Sequence, residues 1–167
     1  MSQYFTLFQL EPVFDIDTAS LEQTYRTLAA RFHPDKFAAA SAFEQKQAMM
    51  MSSTLNEAYR TLKSPIDRAA YLLKQHGIDA DAPEHTSFTP EFLMQQMEWR
   101  EALEDARAAR DDAGLARLDS EIQAEQSALQ HNLQAAFNQQ EYQQAAEWVR
   151  QGRFLNKLRQ EIHAAQS

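Results

Sequence analysis

The feature that most limits what this chain can become is how rarely it is interrupted: five prolines and three glycines are the only strong backbone breakers in 167 residues. Each proline fixes its own φ, removes a backbone donor and pushes the preceding residue toward extended conformations, so Pro12, Pro34, Pro65, Pro83 and Pro90 mark helix boundaries or loops. The stretches between breakers abound in Ala, Leu, Gln, Glu and Arg, which lose little on entering a helix. A turn-rich β protein needs many more turn formers, so the expected fold class is all-α.

Tyr4 to Leu10 is densely apolar, with aromatic residues at three- and four-residue offsets, which predicts a short buried helix before Pro12. Asp15, Asp17 and Thr18 offer N-cap chemistry for a helix over 18–32, whose Leu21, Tyr25, Leu28 and Phe32 form one apolar stripe. Pro34 forces His33 out of that helix. The next helix, over 42–63, places Met51, Leu55, Ala58, Tyr59 and Leu62 on one face and is expected to pair antiparallel with the second. Ser64 as N-cap, Pro65 at the first helical position and Asp67 two residues on start a fourth helix, which ends at Gly77.

Residues 77–89 lack helical periodicity and are read as a linker between domains at 1–76 and 90–167. Thr89 and Pro90 open the second domain, with three long amphipathic segments expected over 90–112, 115–138 and 141–164, separated by Gly114 and by Asn138-Gln139-Gln140. Leu115, Leu118, Ile122, Leu129, Leu133 and Phe137 recur at nearly heptad spacing. An antiparallel three-helix bundle buries such stripes most simply. In the last segment Tyr142, Ala145 and Val149 make one stripe, and Leu155, Leu158 and Ile162 a rotated one, with Gly152 near the change and Phe154 off both.

Several chemistries are excluded or disfavoured by residue content. The chain has no cysteine, so it carries no disulfide, thiolate zinc site or cysteine-ligated iron–sulfur cluster of its own. His76, His85, His131 and His163 are scattered without metal-ligand spacing, and no Gly-rich phosphate loop or nucleophile elbow is present. Neither a metal nor another cofactor is expected. Of the net charge of −8, none arises in residues 1–75, which hold eight Lys/Arg and eight Asp/Glu; the second half is acidic. No broad basic field exists to attract nucleic acid. The first residues show no basic and apolar leader pattern, and no apolar run approaches the length of a membrane span, so a cytoplasmic protein without membrane contact is the expectation.

Two places stand out as binding candidates. His33-Pro34-Asp35 puts an imidazole and a carboxylate on either side of a rigid proline, although the same turn would serve merely to end one helix and cap the next. Arg26, Arg31 and Lys36 form a basic strip around it, and such strips are usually solvated faces. On the first helix of the bundle, Phe92, Trp99, Leu103 and Ala106 share the core stripe, while Leu93 and Met97 fall beside Met94, Glu101 and Glu104 on a neighbouring face. An apolar cluster rimmed by acids fits a binding surface, and fits equally a face packed on another element. His33 as a general base lacks a nucleophile or second acid placed by the sequence, so no enzyme activity is expected.

A short aromatic helix, Tyr25-Arg26 through Phe32-His33-Pro34-Asp35-Lys36, then Leu55-Asn56-Glu57-Ala58-Tyr59 and Arg68-Ala69-Ala70-Tyr71 together resemble a J-domain over residues 3–75. With Phe92-Leu93-Met94-Gln95-Gln96-Met97-Glu98 and Arg153-Phe154-Leu155-Asn156-Lys157-Leu158 in the bundle, the whole chain resembles the HscB family of J-proteins, which serve iron–sulfur cluster assembly. The resemblance implies an N-terminal J-domain and a C-terminal client-binding bundle. It implies that His33, Pro34 and Asp35, with Arg26, Arg31 and Lys36, engage the Hsp70-class chaperone HscA and stimulate its ATPase. It further implies that Leu93, Met94, Met97, Glu98, Glu101 and Phe154 bind the scaffold protein IscU, the co-chaperone itself being a monomer. The alternatives are a J-protein serving another client and a helical DNA-binding regulator, which the charge distribution disfavours.

Overall fold

A computed structural model describes residues 3–82 and 88–166, and the chain divides into two compact units, residues 1–76 and 77–167. Every regular element among the described residues is helical, as the scarcity of breakers predicts.

The first unit comprises α1 (Gln3–Leu7), α2 (Thr18–Arg31), a 3-10 turn (Pro34–Phe37), α3 (Ala42–Lys63) and α4 (Pro65–Gln75). Helix α1 stops three residues short of the expected Leu10, because Gln9 takes φ 57° and lets the Leu10 N–H return to the Phe5 carbonyl at 2.9 Å. That reversal buries both Phe5 and Phe8. Asp17 caps α2 by accepting from the Ala19 and Ser20 amides, and α2 and α3 pair antiparallel, with Tyr25 stacked on Tyr59 at 4.0 Å and Phe32 facing the start of α3. Leu21, Leu55, Ala58 and Leu62 fill the seam. Met51, expected on this packed face, is instead 37% exposed and lines an open groove beside Phe32 and Phe37.

Arg68 is the one buried charged residue among the described residues. Its Nε donates to the Phe14 carbonyl and its Nη1 to the Leu62 carbonyl, both at 2.7 Å, and its guanidinium lies over the Phe14 ring at 4.8 Å. The side chain thereby pins the connection after α1 to the α3–α4 corner. Burial lowers its pKa, and the charge of Asp15 opposes that shift. Tyr4, stacked on Tyr71 at 4.6 Å, has its pKa raised above the ordinary 10.0 by burial and by the charge of Glu57.

The second unit holds α5 (Pro90–Ala108), α6 (Asp112–Asn138) and α7 (Tyr142–Gln166) in an antiparallel three-helix bundle. The first bend falls earlier than Gly114. Arg110 adopts φ 52°, and Asp111 caps α6 by accepting from the Gly114 amide at 2.9 Å, so the glycine lies inside the first turn. A Cβ there would come within 2.5 Å of the Asp111 carboxylate, so the glycine makes room for the cap. Helix α7 is continuous: Ala145, Val149, Gly152, Leu155, Leu158 and Ile162 are all buried on one slowly drifting seam, and the two stripes meet at Gly152. Along that seam Asp119 accepts from Arg159 Nε at 3.0 Å and lies 3.0 Å from His163 Nε2, while Gln126 Nε2 donates to Asn156 at 2.8 Å. Within this unit residues 77–82 are tied down by Asp81, which receives two hydrogen bonds from Arg153 at 3.0 Å. His85 lies outside the described residues.

Candidate functional site

His33 ends α2 in an extended conformation, φ −65° and ψ 139°, the consequence of Pro34 behind it. Its Nδ1 accepts from the Asp35 amide at 3.2 Å and its carbonyl accepts from the Lys36 amide at 3.0 Å. The Asp35 carboxylate is 3.6 Å from Nδ1 and 91% exposed. The turn is held by local bonds and displays its charged atoms to solvent.

The three surrounding cations are not equivalent. Arg26 is held by Glu22 at 2.6 Å, one turn earlier on α2, whereas Arg31 and Lys36 have no ion-pair partner among the described residues. The far side of the turn is closed by Gln45, whose Nε2 donates toward the carbonyls of Phe37 (3.0 Å), Ala38 (3.3 Å) and Ala40 (3.4 Å). Gln45 could not be singled out from the chain alone, since any side-chain amide in the first turn of a helix is unremarkable until the loop carbonyls converge on it. Also missed was an apolar groove of about 510 Å³ beside the turn, lined by Phe32, Phe37, Ala48, Met50 and Met51. The run Met49-Met50-Met51 was its signal.

On α5 the core stripe is as expected: Trp99, Leu103 and Ala106 are buried and Phe92 half-buried. The neighbouring face is open, with Leu93, Met94 and Met97 exposed at 44%, 63% and 71%. Glu98 and Glu101 are exposed beside them. Phe154 of α7 is half-buried; it stacks on Trp99 at 6.3 Å, meets Phe92 edge-on at 5.7 Å, and carries the Arg100 guanidinium over its ring at 5.4 Å. It therefore joins the aromatic interior of the bundle and is less open than the three α5 side chains.

Among the described residues no group of His, Asp or Glu side chains could hold a metal ion, and no helix is long and apolar enough to cross a membrane.

A helical hairpin that presents His-Pro-Asp on a rigid turn, joined to a three-helix bundle, defines a co-chaperone of the J-protein class. Residues 88–163 match a family model described as the HSCB C-terminal oligomerisation domain. The chain is 72% identical over 165 residues to a co-chaperone protein HscB homolog of Neisseria meningitidis serogroup B, covering 99% of each. Two solved structures are similar throughout: chaperone HscB from Vibrio cholerae (TM-score 0.84, 39% identity, 96% of this chain and 95% of that one) and human co-chaperone protein HscB (TM-score 0.88, 32% identity, 96% and 80%). This chain belongs to the HscB co-chaperone family.

Proposed function

We propose that this chain is a two-ended adaptor that binds the iron–sulfur scaffold protein IscU through its bundle and presents it to the Hsp70-class chaperone HscA in the cytoplasm, stimulating that chaperone's ATPase. The observation that carries the reading is the His33-Pro34-Asp35 turn, rigid in its backbone yet open at its carboxylate, in a chain of this family. Asp35 offers charge-assisted acceptors to an arginine of the chaperone, while Arg31 and Lys36, with Arg26 once it leaves Glu22, steer encounter with an acidic surface. The adaptor performs no chemistry and carries no cofactor. It acts by contacting one conformation of the ATPase more favourably than the other, which is the only way a bound partner shifts an equilibrium.

The client end is the α5 face: Leu93, Met94 and Met97 supply adaptable apolar area, Glu98 and Glu101 the acidic rim, and Phe154 a firm aromatic edge. Steady-state ATPase assays test the other end directly. His33→Gln is expected to abolish stimulation of the chaperone while leaving scaffold affinity unchanged; stimulation equal to that of the unmodified chain would refute the role of the turn.

One observation favours a second use of the same bundle. The matching family model is described as an oligomerisation domain, and an exposed apolar face also suits a second copy of the chain. Light scattering behind size exclusion separates the readings: a monomer across the working concentration range leaves the face to the client, and a dimer dispersed by Met97→Lys assigns it to self-association.

A further inference from the structure

Both tryptophans of the chain line a single cavity. It has a volume of about 280 Å³, lies between α5, α6 and α7, and is bounded by Phe92, Trp99, Trp148, Leu129 and Leu155. Its charged lining residues among the described ones are Glu91 and Glu125, and no described Lys, Arg or His borders it. Neither of those carboxylates forms an ion pair with any described residue. The neutral polar groups at its edge are Thr89, Gln95, Asn132 and Gln151, each of which contains an oxygen acceptor. Trp99 is buried, its N–H donated to Glu121 at 3.2 Å, so it forms the floor of the cavity, and the half-buried aromatic walls are Phe92 and Trp148.

A cavity walled by Phe92 and Trp148, with two exposed carboxylates that no described residue pairs with, acceptors around its rim and no cation among its described lining, is complementary to one kind of group. A guanidinium or ammonium brings donors and no acceptor, prefers the faces of indole rings, and carries an alkyl stem suited to an apolar wall. A neutral donor would gain a hydrogen bond from a glutamate but not the added charge attraction, and an anion would be repelled. We propose that this cavity receives one cationic side chain, an arginine or lysine, from a partner protein.

The site is distinct from the α5 client face. At 100° per residue, Glu91 and Gln95 fall on one flank of the Phe92–Trp99 core stripe, and Leu93 and Met97 fall on the other. The proposal therefore does not depend on what covers Leu93 and Met97.

The two tryptophans supply the readout. The full chain is titrated with N-acetyl-arginine amide and N-acetyl-lysine amide, with N-acetyl-glutamine amide and N-acetyl-norleucine amide as neutral counterparts, following tryptophan emission. The expected result is a saturable change with the two cations and about tenfold weaker binding of both neutral amides. The exposed double substitution Glu91→Gln with Glu125→Gln, which leaves the aromatic walls in place, is expected to weaken cation binding about fivefold or more. Equal binding of norleucine amide would make this an ordinary apolar pocket. That result, the absence of saturable change with any probe, or full cation affinity in the double variant each overturns the proposal.

Discussion

The side chains at residues 33–36 stand on a turn with little burial of its own, held by an imidazole accepting a backbone amide and by the Gln45 amide across the way. Those at Leu93, Met94 and Met97 stand on the outer face of a helix whose inner face is closed by Trp99 and Leu103. The first arrangement is set by covalent restriction and a few nearby hydrogen bonds, and the second by the packing of a whole bundle. A fixed turn holds its polar groups at a set spacing, whereas flexible thioethers on a rigid support can adapt to whatever covers them.

The sharpest way to separate the two supports is Arg68→Met. Two buried carbonyls, those of Phe14 and Leu62, lose their charged donor, and a cost of about 3 kcal/mol to the first unit is expected. Calorimetry should show the transition of residues 1–76 falling while that of the bundle holds; a common shift of both would end the idea of separate supports. Next, Leu93→Ala combined with Met97→Ala is expected to weaken scaffold binding by roughly 2 kcal/mol, about thirtyfold, without lowering the thermal midpoint. Phe154→Ala should lower both affinity and midpoint, because its ring is packed on Trp99 and Phe92. If the α5 pair also lowered the midpoint, those residues would be structural.

A smaller effect is expected from Gln45→Ala, which frees three loop carbonyls at about 1 kcal/mol and should raise the half-maximal concentration for ATPase stimulation several-fold with His33-Pro34-Asp35 intact. An unchanged value would show that the proline alone fixes the turn. The least effect concerns Tyr4. Its pKa in the folded state lies above its unfolded value, so the folded chain holds the phenolic proton more tightly. That contribution is complete below about pH 10 and is lost as the pH rises through the folded value. Circular dichroism of alkaline unfolding should show this loss, and Tyr4→Phe should remove that part of the pH dependence.

The elements themselves were legible wherever proline and a capping residue coincided, as at Ser64-Pro65 and Thr89-Pro90, because those signals are local. Gly114 misled for the same reason: a glycine reads as a break, yet the break came from Arg110 and Asp111, and the glycine accommodates a carboxylate folded over it. At the candidate sites, His33 to Lys36 could be placed from the chain alone. The openness of Met94 and Met97 could not, since periodicity separates faces without saying which one is covered. Gln45 and the cavity holding Trp148 were invisible because they depend on groups far apart in sequence converging.

The row of polar contacts from Asp119 to Arg159 and His163, and from Gln126 to Asn156, has a consequence for alignment. Leucine stripes that recur about every heptad would interlock almost as well if α7 slid along α6 by seven residues, a displacement of about 10 Å. The polar row mates in one setting only, since any slip strands Asp119, 16% exposed, without its arginine. It works as the keyed tooth of a ratchet, and the ring it brings into line is Phe154 against Trp99.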